Sequence, residues 1–305
     1  MKVVISGATG LIGTALSARF ASQGHDVLAL ARRAVRPPPG ERAISWDPAA
    51  GRIDGAALEG CDVVVNLAGE NVFGRWTAAK QRRIRESRVV GTRLVSEAIA
   101  GLARRPRVLL AASAIGYYGD RGADELNEQS SPGDDFLAGV AREWEAAAAP
   151  AARAGVRVVH LRFGVVLTPV GGALARMLPA FRLGLGGPVG SGAQYLSWIA
   201  LDDVLGAIAH VLATEDLTGP VNITAPHPVT HREFAGTLGR VLRRPAALPV
   251  PGFALQLLFG AEAAAMLQSG QRVLPARLLA AGFRFQFGDL EPALRHLLAA
   301  PGGPS

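Results

Sequence analysis

Cysteine is nearly absent from this 305-residue chain. Cys61 stands alone, so no internal disulfide can form and a reducing compartment is expected. Lysine is almost as scarce. Only Lys2 and Lys80 occur, so arginine carries nearly all of the basic charge behind the net +7. No apolar run reaches the ~18 uninterrupted residues of a membrane span. The N-terminus reads as a strand, without the pattern of a secretory signal. A cytoplasmic protein with no membrane association is expected. The six histidines are scattered. Only His227 and His231 have ligand-like spacing, and they flank Pro228 with no cysteine or third ligand near, so no metal site is expected. Aromatic residues make up only 6% of the chain and do not interleave with the arginine clusters Arg82-Arg83-Ile84-Arg85 and Arg104-Arg105-Pro106-Arg107. A stacking surface for single strands needs that interleaving, so nucleic acid is not an expected partner.

What the chain does have is apolar substance, 49% of its residues, enough for a large core. Its most informative stretch is Lys2-Val3-Val4-Ile5-Ser6-Gly7-Ala8-Thr9-Gly10-Leu11-Ile12-Gly13. An apolar run ends in three glycines spaced three apart and passes at once into a helical repeat (Leu11, Ile12, Ala15, Leu16, Phe20). Strand, tight turn and helix N-terminus in that order are the context of a dinucleotide-binding turn. The first amides of a helix lack internal partners and carry partial positive charge, so a pyrophosphate can sit there. Gly7 permits the turn, Gly10 the close approach of phosphate, and Gly13 the packing of helix on strand.

Apolar strands alternate with helical patterns along the first two-thirds of the chain, which predicts an α/β fold. The expected form is a Rossmann-type doubly wound parallel sheet with a smaller C-terminal α/β lobe. Strands are predicted at Lys2–Ser6, Asp26–Ala31, Ile44–Trp46, Val63–Ala68, Val108–Ser113 and Val156–Arg162, and helices at Gly10–Gln23, Thr77–Leu102 and Phe136–Ala154. The expected nucleotide-binding domain is residues 1–168, to which a strand at 221–225 returns; residues 169–300 form the smaller substrate-side lobe. Helices at Ala173–Leu183, Asp202–Ala213, His231–Leu242 and Phe253–Ser269 are expected in this second region.

The end of the second strand selects the cofactor. An acidic residue there binds a ribose 2′-hydroxyl and repels a 2′-phosphate, and an arginine does the reverse. This strand ends in Ala31-Arg32-Arg33 with no acid in place, which points to NADP(H), with Arg32 as the phosphate clamp.

These motifs together resemble the extended short-chain dehydrogenase/reductase superfamily. They are Gly7-Ala8-Thr9-Gly10-Leu11-Ile12-Gly13, Asn66-Leu67-Ala68-Gly69, Gly91-Thr92, Ser113-Ala114-Ile115-Gly116-Tyr117-Tyr118-Gly119, Leu161-Arg162-Phe163-Gly164-Val165-Val166-Leu167 and Trp198-Ile199-Ala200-Leu201-Asp202-Asp203-Val204. More narrowly the chain resembles an atypical subgroup, the SDR39U1-like epimerase family proteins, also called YfcH-like or SulA-type nucleoside-diphosphate-sugar epimerases. The marks of that group are Trp46-Asp47-Pro48, Leu67-Ala68-Gly69-Glu70-Asn71, Gly133-Asp134-Asp135-Phe136 and Phe181-Arg182-Leu183-Gly184-Leu185-Gly186-Gly187-Pro188. The group's C-terminal domain of unassigned function resembles residues 251–298, including Gly270-Gln271-Arg272-Val273-Leu274-Pro275. The resemblance implies NADP(H) binding through Gly7, Thr9, Gly10, Leu11, Ile12 and Arg32, with Leu67, Ala68 and Gly69 along the cofactor. Arg88 would reach toward it from its helix, and Val166 would flank the nicotinamide end. A small-molecule partner is implied, a nucleotide-sugar or other polar metabolite, for a monomer or homodimer.

Superfamily chemistry uses a tyrosine that transfers a proton, a lysine one helical turn later that lowers its pKa and holds the ribose, and a serine or threonine on the same oxygen. Ser113 matches the serine. The Tyr–Lys pair is missing: the corresponding helix reads Phe136-Leu137-Ala138-Gly139-Val140, and no lysine follows Tyr117, Tyr118 or Tyr195 by four. Tyr117 is the leading substitute acid, four residues after Ser113 and four before Arg121, with Glu70, Asp120 and Asp135 as further candidates. The readings are an NADP(H)-dependent oxidoreductase or epimerase-like enzyme, a catalytically weak NADP(H)-binding sensor, and an interaction protein that kept only the fold.

Overall fold

The computed structural model describes residues 1–31, 42–250, 252, 256–257 and 260–299. Arg32, Arg33 and part of the expected helix Phe253–Ser269 lie outside the described residues.

The chain opens with β1 (Lys2–Ser6), α1 (Leu11–Ser22), β2 (Asp26–Ala31), β3 (Arg42–Asp47), β4 (Arg52–Ile53), β5 (Val63–Asn66), α2 (Ala78–Ala100) and β6 (Val108–Ala114). It continues through β7 (Glu125–Leu126), α3 (Phe136–Ala146), α4 (Ala149–Arg153), β8 (Arg157–Phe163), β9 (Val165–Leu167) and α5 (Gly172–Arg182). Then come β10 (Tyr195–Leu196), β11 (Trp198–Ala200), α6 (Leu201–Ala213), β12 (Gly219–Ile223), β13 (Val229–Thr230) and α7 (His231–Leu242). The described residues end with α8 (Ala261–Gln268), β14 (Arg272–Val273), α9 (Ala276–Ala280) and α10 (Leu290–Leu298).

The main sheet has the order β12-β8-β6-β5-β1-β2-β3-β4. Every pairing in it is parallel except β3 with the short edge strand β4. The valine-rich central strands have no polar face because both faces are covered, as a parallel sheet requires: Val3, Val4, Ile5, Val63, Val64 and Val65 are fully buried. One core layer packs Val3, Ile5, Leu16, Phe20, Val204, Ile208 and Val211 between the sheet and α1 and α6. The other packs Val4, Leu28, Val64, Val95, Ile99 and Ala151 under α2 and α4. A separate cluster (Leu174, Leu178, Phe181, Phe234, Leu238, Leu290, Leu294) forms the smaller lobe from α5, α7 and α10.

The structure differs from the pattern reading in two helices: the expected helix Phe253–Ser269 is interrupted at Gly260, whose φ of +82° no helix holds, and α8 starts only at Ala261. The predicted single helix over Phe136–Ala154 is two, α3 and α4, with Pro150 in the first turn of the second. Proline has no N–H to donate and its ring crowds the carbonyl four residues back, so it is best placed in a helix's first turn, where Pro150 starts α4. The break matters for the site, because α3 ends just after Trp144 and Glu145.

Strand order reverses between β1 and β5: the chain builds outward to β3 on one side, then crosses to β5, β6, β8 and β12 on the other. The carboxyl ends of β1 and β5 therefore flank the crevice where open α/β sheets bind ligands. Ser6 and Asn66 are register partners at that point.

Candidate functional site: a dinucleotide cradle and a buried charged network

The turn after β1 requires glycine at its first position. Gly7 has φ +69°, a left-handed conformation, and a Cβ on it would lie 2.9 Å from the Leu67 carbonyl carbon. A Cβ on Gly13 would lie 2.1 Å from the Gly7 oxygen, so α1 sits directly on the turn. Gly10 is different. Its nearest obstacle is the Gly7 oxygen at 3.1 Å, so a side chain there would project into open space where a ligand approaches. Gly10 caps α1 without a side-chain hydrogen bond, leaving the helix's first amides for an anion. Thr9 is exposed at the turn, and Leu11 and Ile12 are half-buried. The Leu11 side chain lies against the Gly171–Gly172 backbone that leads into α5, with a Cβ on Gly171 only 2.9 Å from it. The cradle thus touches the smaller lobe.

A buried polar chain holds the facing wall. The Ser6 hydroxyl donates to Asn66 Oδ1 (2.5 Å) and accepts from the amides of Leu67 (3.1 Å) and Ala68 (3.2 Å). The Asn66 amide and the Trp144 indole both donate to the Thr92 hydroxyl, at 2.7 and 2.8 Å. Each of these groups is satisfied, so the network fixes the backbone of Leu67 and Ala68 rather than straining it. Arg88 sits behind Gly69. It donates to the Glu70 carbonyl (3.0 Å), stacks 5.0 Å from the Trp144 ring centre, and burial pushes its guanidinium down to about 10.

At the end of β6 the hydroxyl of Ser113 donates to Glu145 Oε1 (2.7 Å). The same carboxylate takes both forks of Arg162, from Nε at 2.7 Å and Nη2 at 2.8 Å. Arg162 is 3% exposed. Burial works against its charge, but the Glu145 carboxylate outweighs it and raises the guanidinium pKa. Its Nη1 donates to the Tyr118 hydroxyl (3.0 Å), which donates on to Asn222 Oδ1 (2.7 Å). Tyr118 is fully buried, and burial raises its pKa. Tyr117 has another environment: its ring lies under the Arg162 guanidinium, 3.5 Å from carbon to ring centre. It is half-buried, and its hydroxyl makes no hydrogen bond among the described residues.

The helix that would carry the Tyr–Lys pair has nothing to replace it. Phe136 packs edge-on against Trp76 with ring centres 5.6 Å apart, and Val140 is 4% exposed. Val166, on β9, is half-buried and pairs with Ile199 of β11. Glu145 and Arg162 were missed by sequence reasoning. The signal was present: Arg162 interrupts an apolar run inside a strand, where a charge must find a partner.

The C-terminal segment closes over this network. Gln271 Nε2 donates to the Gly119 oxygen (3.0 Å), the Gly270 amide to Asp120 Oδ1 (2.9 Å), and Asn222 Nδ2 to the Leu274 oxygen (2.9 Å). β14 pairs in parallel with β7. Among the described residues no group of three or more His, Cys, Asp or Glu could hold a metal ion. His227 pairs with Asp289 on the surface (2.8 Å) instead. Cys61 is buried, and its thiol is pushed up to about 11, chiefly by burial. No helix among the described residues is long and apolar enough to cross a membrane.

A parallel sheet, a glycine cradle at its switch point and an amide-lined helix start define a dinucleotide-binding protein of the Rossmann type. The chain belongs to the NAD dependent epimerase/dehydratase family, whose model matches residues 3–224; a Domain of unknown function (DUF1731) matches residues 250–297. It is 43% identical over 303 residues, 98% of each chain, to "Epimerase family protein Mb2239" of Mycobacterium bovis. The crystal structure of human epimerase family protein SDR39U1 with NADPH superposes with a TM-score of 0.89 at 39% identity, over 97% of this chain and 99% of that one. The nucleoside-diphosphate sugar epimerase of Corynebacterium glutamicum matches at 36% identity and a TM-score of 0.78, over 98% of this chain and 58% of that one.

Proposed function

We propose that the chain binds NADP(H) across the switch point and acts as an oxidoreductase or epimerase-like enzyme on a polar metabolite of the nucleotide-sugar type. In this reading Tyr117 moves the proton. The pyrophosphate rests on Gly10 and the amides of Leu11 and Ile12, and Thr9 lies beside it. Arg32 takes the 2′-phosphate. Leu67, Ala68 and Gly69 form the floor, Arg88 braces that floor from behind, and Val166 bounds the nicotinamide end. The human relative solved with NADPH supports the choice of cofactor, and the Corynebacterium relative supports the substrate class. Residues 1–168 with the strand at 221–225 form the nucleotide domain, and residues 169–300 the substrate side, in a cytoplasmic monomer or homodimer.

The observation that carries the enzymatic reading is the Tyr117–Arg162 stack at 3.5 Å. In the superfamily a lysine places a cation beside the phenol. Here Arg162, itself held by Glu145, places one against the Tyr117 ring and prevents the ring from turning away. Nicotinamide held here would supply or accept the hydride, and the role of Tyr117 is to give or take the proton at the substrate oxygen. Ser113 cannot donate to that oxygen while its proton lies on Glu145, so it orients the carboxylate. Tyr117→Phe is expected to lower turnover of NADPH with a responsive nucleotide-sugar by about 100-fold or more, the usual scale of a positioned acid, while NADPH still binds. Unchanged turnover in that variant removes Tyr117 from the reaction.

A second reading, an NADP(H)-binding sensor with weak or no turnover, is favoured by Phe136, Val140 and the engaged Ser113. It requires that wild-type protein bind NADPH tightly yet leave a 4-deuterated nicotinamide unchanged with every metabolite tried.

A further inference from the structure

We propose that Glu70 is the residue that holds the nicotinamide ribose, accepting hydrogen bonds from its vicinal hydroxyls in place of the missing lysine. The inference rests on NADP(H) occupying the cradle.

Glu70 follows directly on Leu67-Ala68-Gly69, the segment whose backbone forms one wall of the switch-point crevice. One face of α2 is given over to fixing it. The Ser87 hydroxyl accepts from its amide (2.9 Å), and Arg88 donates to its carbonyl (3.0 Å). Lys80 donates to its carboxylate (2.8 Å), and Arg83 approaches it at 3.7 Å. Residues 80, 83, 87 and 88 are spaced so that they share a face of one helix. Backbone and side chain of Glu70 are thereby held from the same element.

The chain places one of its two lysines here, with only 14% of its side chain exposed. The hydrogen bond from Lys80 is the main cause that lowers the Glu70 pKa, so the carboxylate stays an acceptor at neutral pH. Both cations engage Oε1. Oε2 has no protein donor among the described residues, and it is not among the enclosed unpartnered atoms, so it is reachable from outside. An ionised carboxylate with a free oxygen is an acceptor for hydroxyl groups, and such charge-assisted bonds are roughly twice as strong as neutral ones. The position that would otherwise hold the ribose is Val140, which is buried and apolar. A purely structural ion pair would explain the Lys80 contact. It would not require the separate fixing of the Glu70 amide and carbonyl beside the crevice.

The test compares two probes by calorimetry. NADPH carries the nicotinamide ribose, and adenosine 2′,5′-bisphosphate carries only the adenosine half. Glu70→Gln keeps the size of the side chain and removes its charge. It is expected to weaken NADPH about tenfold or more, the scale of one hydrogen bond to a charged group, and to leave the bisphosphate within about twofold by the same measure. Glu70→Asp, which keeps the charge but withdraws it, should fall between. Equal weakening of both probes, or no change in either, would overturn the assignment of Glu70 while leaving the cofactor reading intact. Wild-type protein that binds neither probe overturns the cofactor reading, and this inference with it.

Discussion

Arg162→Met is expected to lower the unfolding free energy by about 3–5 kcal/mol, the usual cost of leaving one member of a buried ion pair alone. Glu145 would be left with only the Ser113 hydroxyl as partner, and the Tyr118 hydroxyl would lose its donor. The Tyr117 ring would lose the cation stacked on it. Urea denaturation of the variant measures the loss. The double variant Arg162→Met, Glu145→Leu should recover a large part of it, because an apolar pair of similar volume carries no stranded charge. A double variant as unstable as the sum of the two single ones would show that the pair does not act as a unit. The recovered protein should still lack the Tyr117 contact, so stability and turnover separate.

Gly13→Ala is expected to weaken cofactor binding strongly. Its Cβ would lie 2.1 Å from the Gly7 oxygen, a distance no packing tolerates, so α1 must move off the turn and take its amides with it. Overpacking of this kind costs about 1–3 kcal/mol of stability, and affinity for NADPH should fall by about 100-fold or more, two decades at 1.4 kcal/mol each. Gly10→Ala is the informative partner. Its Cβ meets only the Gly7 oxygen at 3.1 Å, so the fold should survive with little loss while the new methyl occupies the approach of the phosphate. A Gly10 variant that binds NADPH as the wild type does would place the pyrophosphate elsewhere.

The parts of this molecule that were legible in its sequence are those that depend on neighbours in the chain. The glycine turn and the starts of the valine strands and of α1, α2, α3 and α7 are fixed by local geometry and burial, and they stand within a residue of where the pattern put them. The return of β12 to the sheet beside β8 follows the same apolar signal. Register across elements is a different matter. The Glu145–Arg162 pair depends on how α3 lies over β8, and the Tyr118–Asn222 bond joins residues 104 apart. No spacing rule reaches that far. Ser113, expected to be the catalytic serine at the tip of its strand, lies near the end of β6. Its partner, Glu145, follows from a helix packed onto that strand end and not from the strand itself. The hold of α2 on Glu70 was within reach, since Lys80, Arg83, Ser87 and Arg88 recur at helical spacing. Only the fold shows that this face meets the end of β5.

Calorimetric titration of the wild-type protein with NADPH and, separately, with NADH decides whether the cradle holds NADP(H). Saturable binding of one NADPH per chain, tighter than NADH, is expected, with the preference lost in Arg32→Asp. Equal affinity for the two, a preference for NADH, or no binding of either would contradict it.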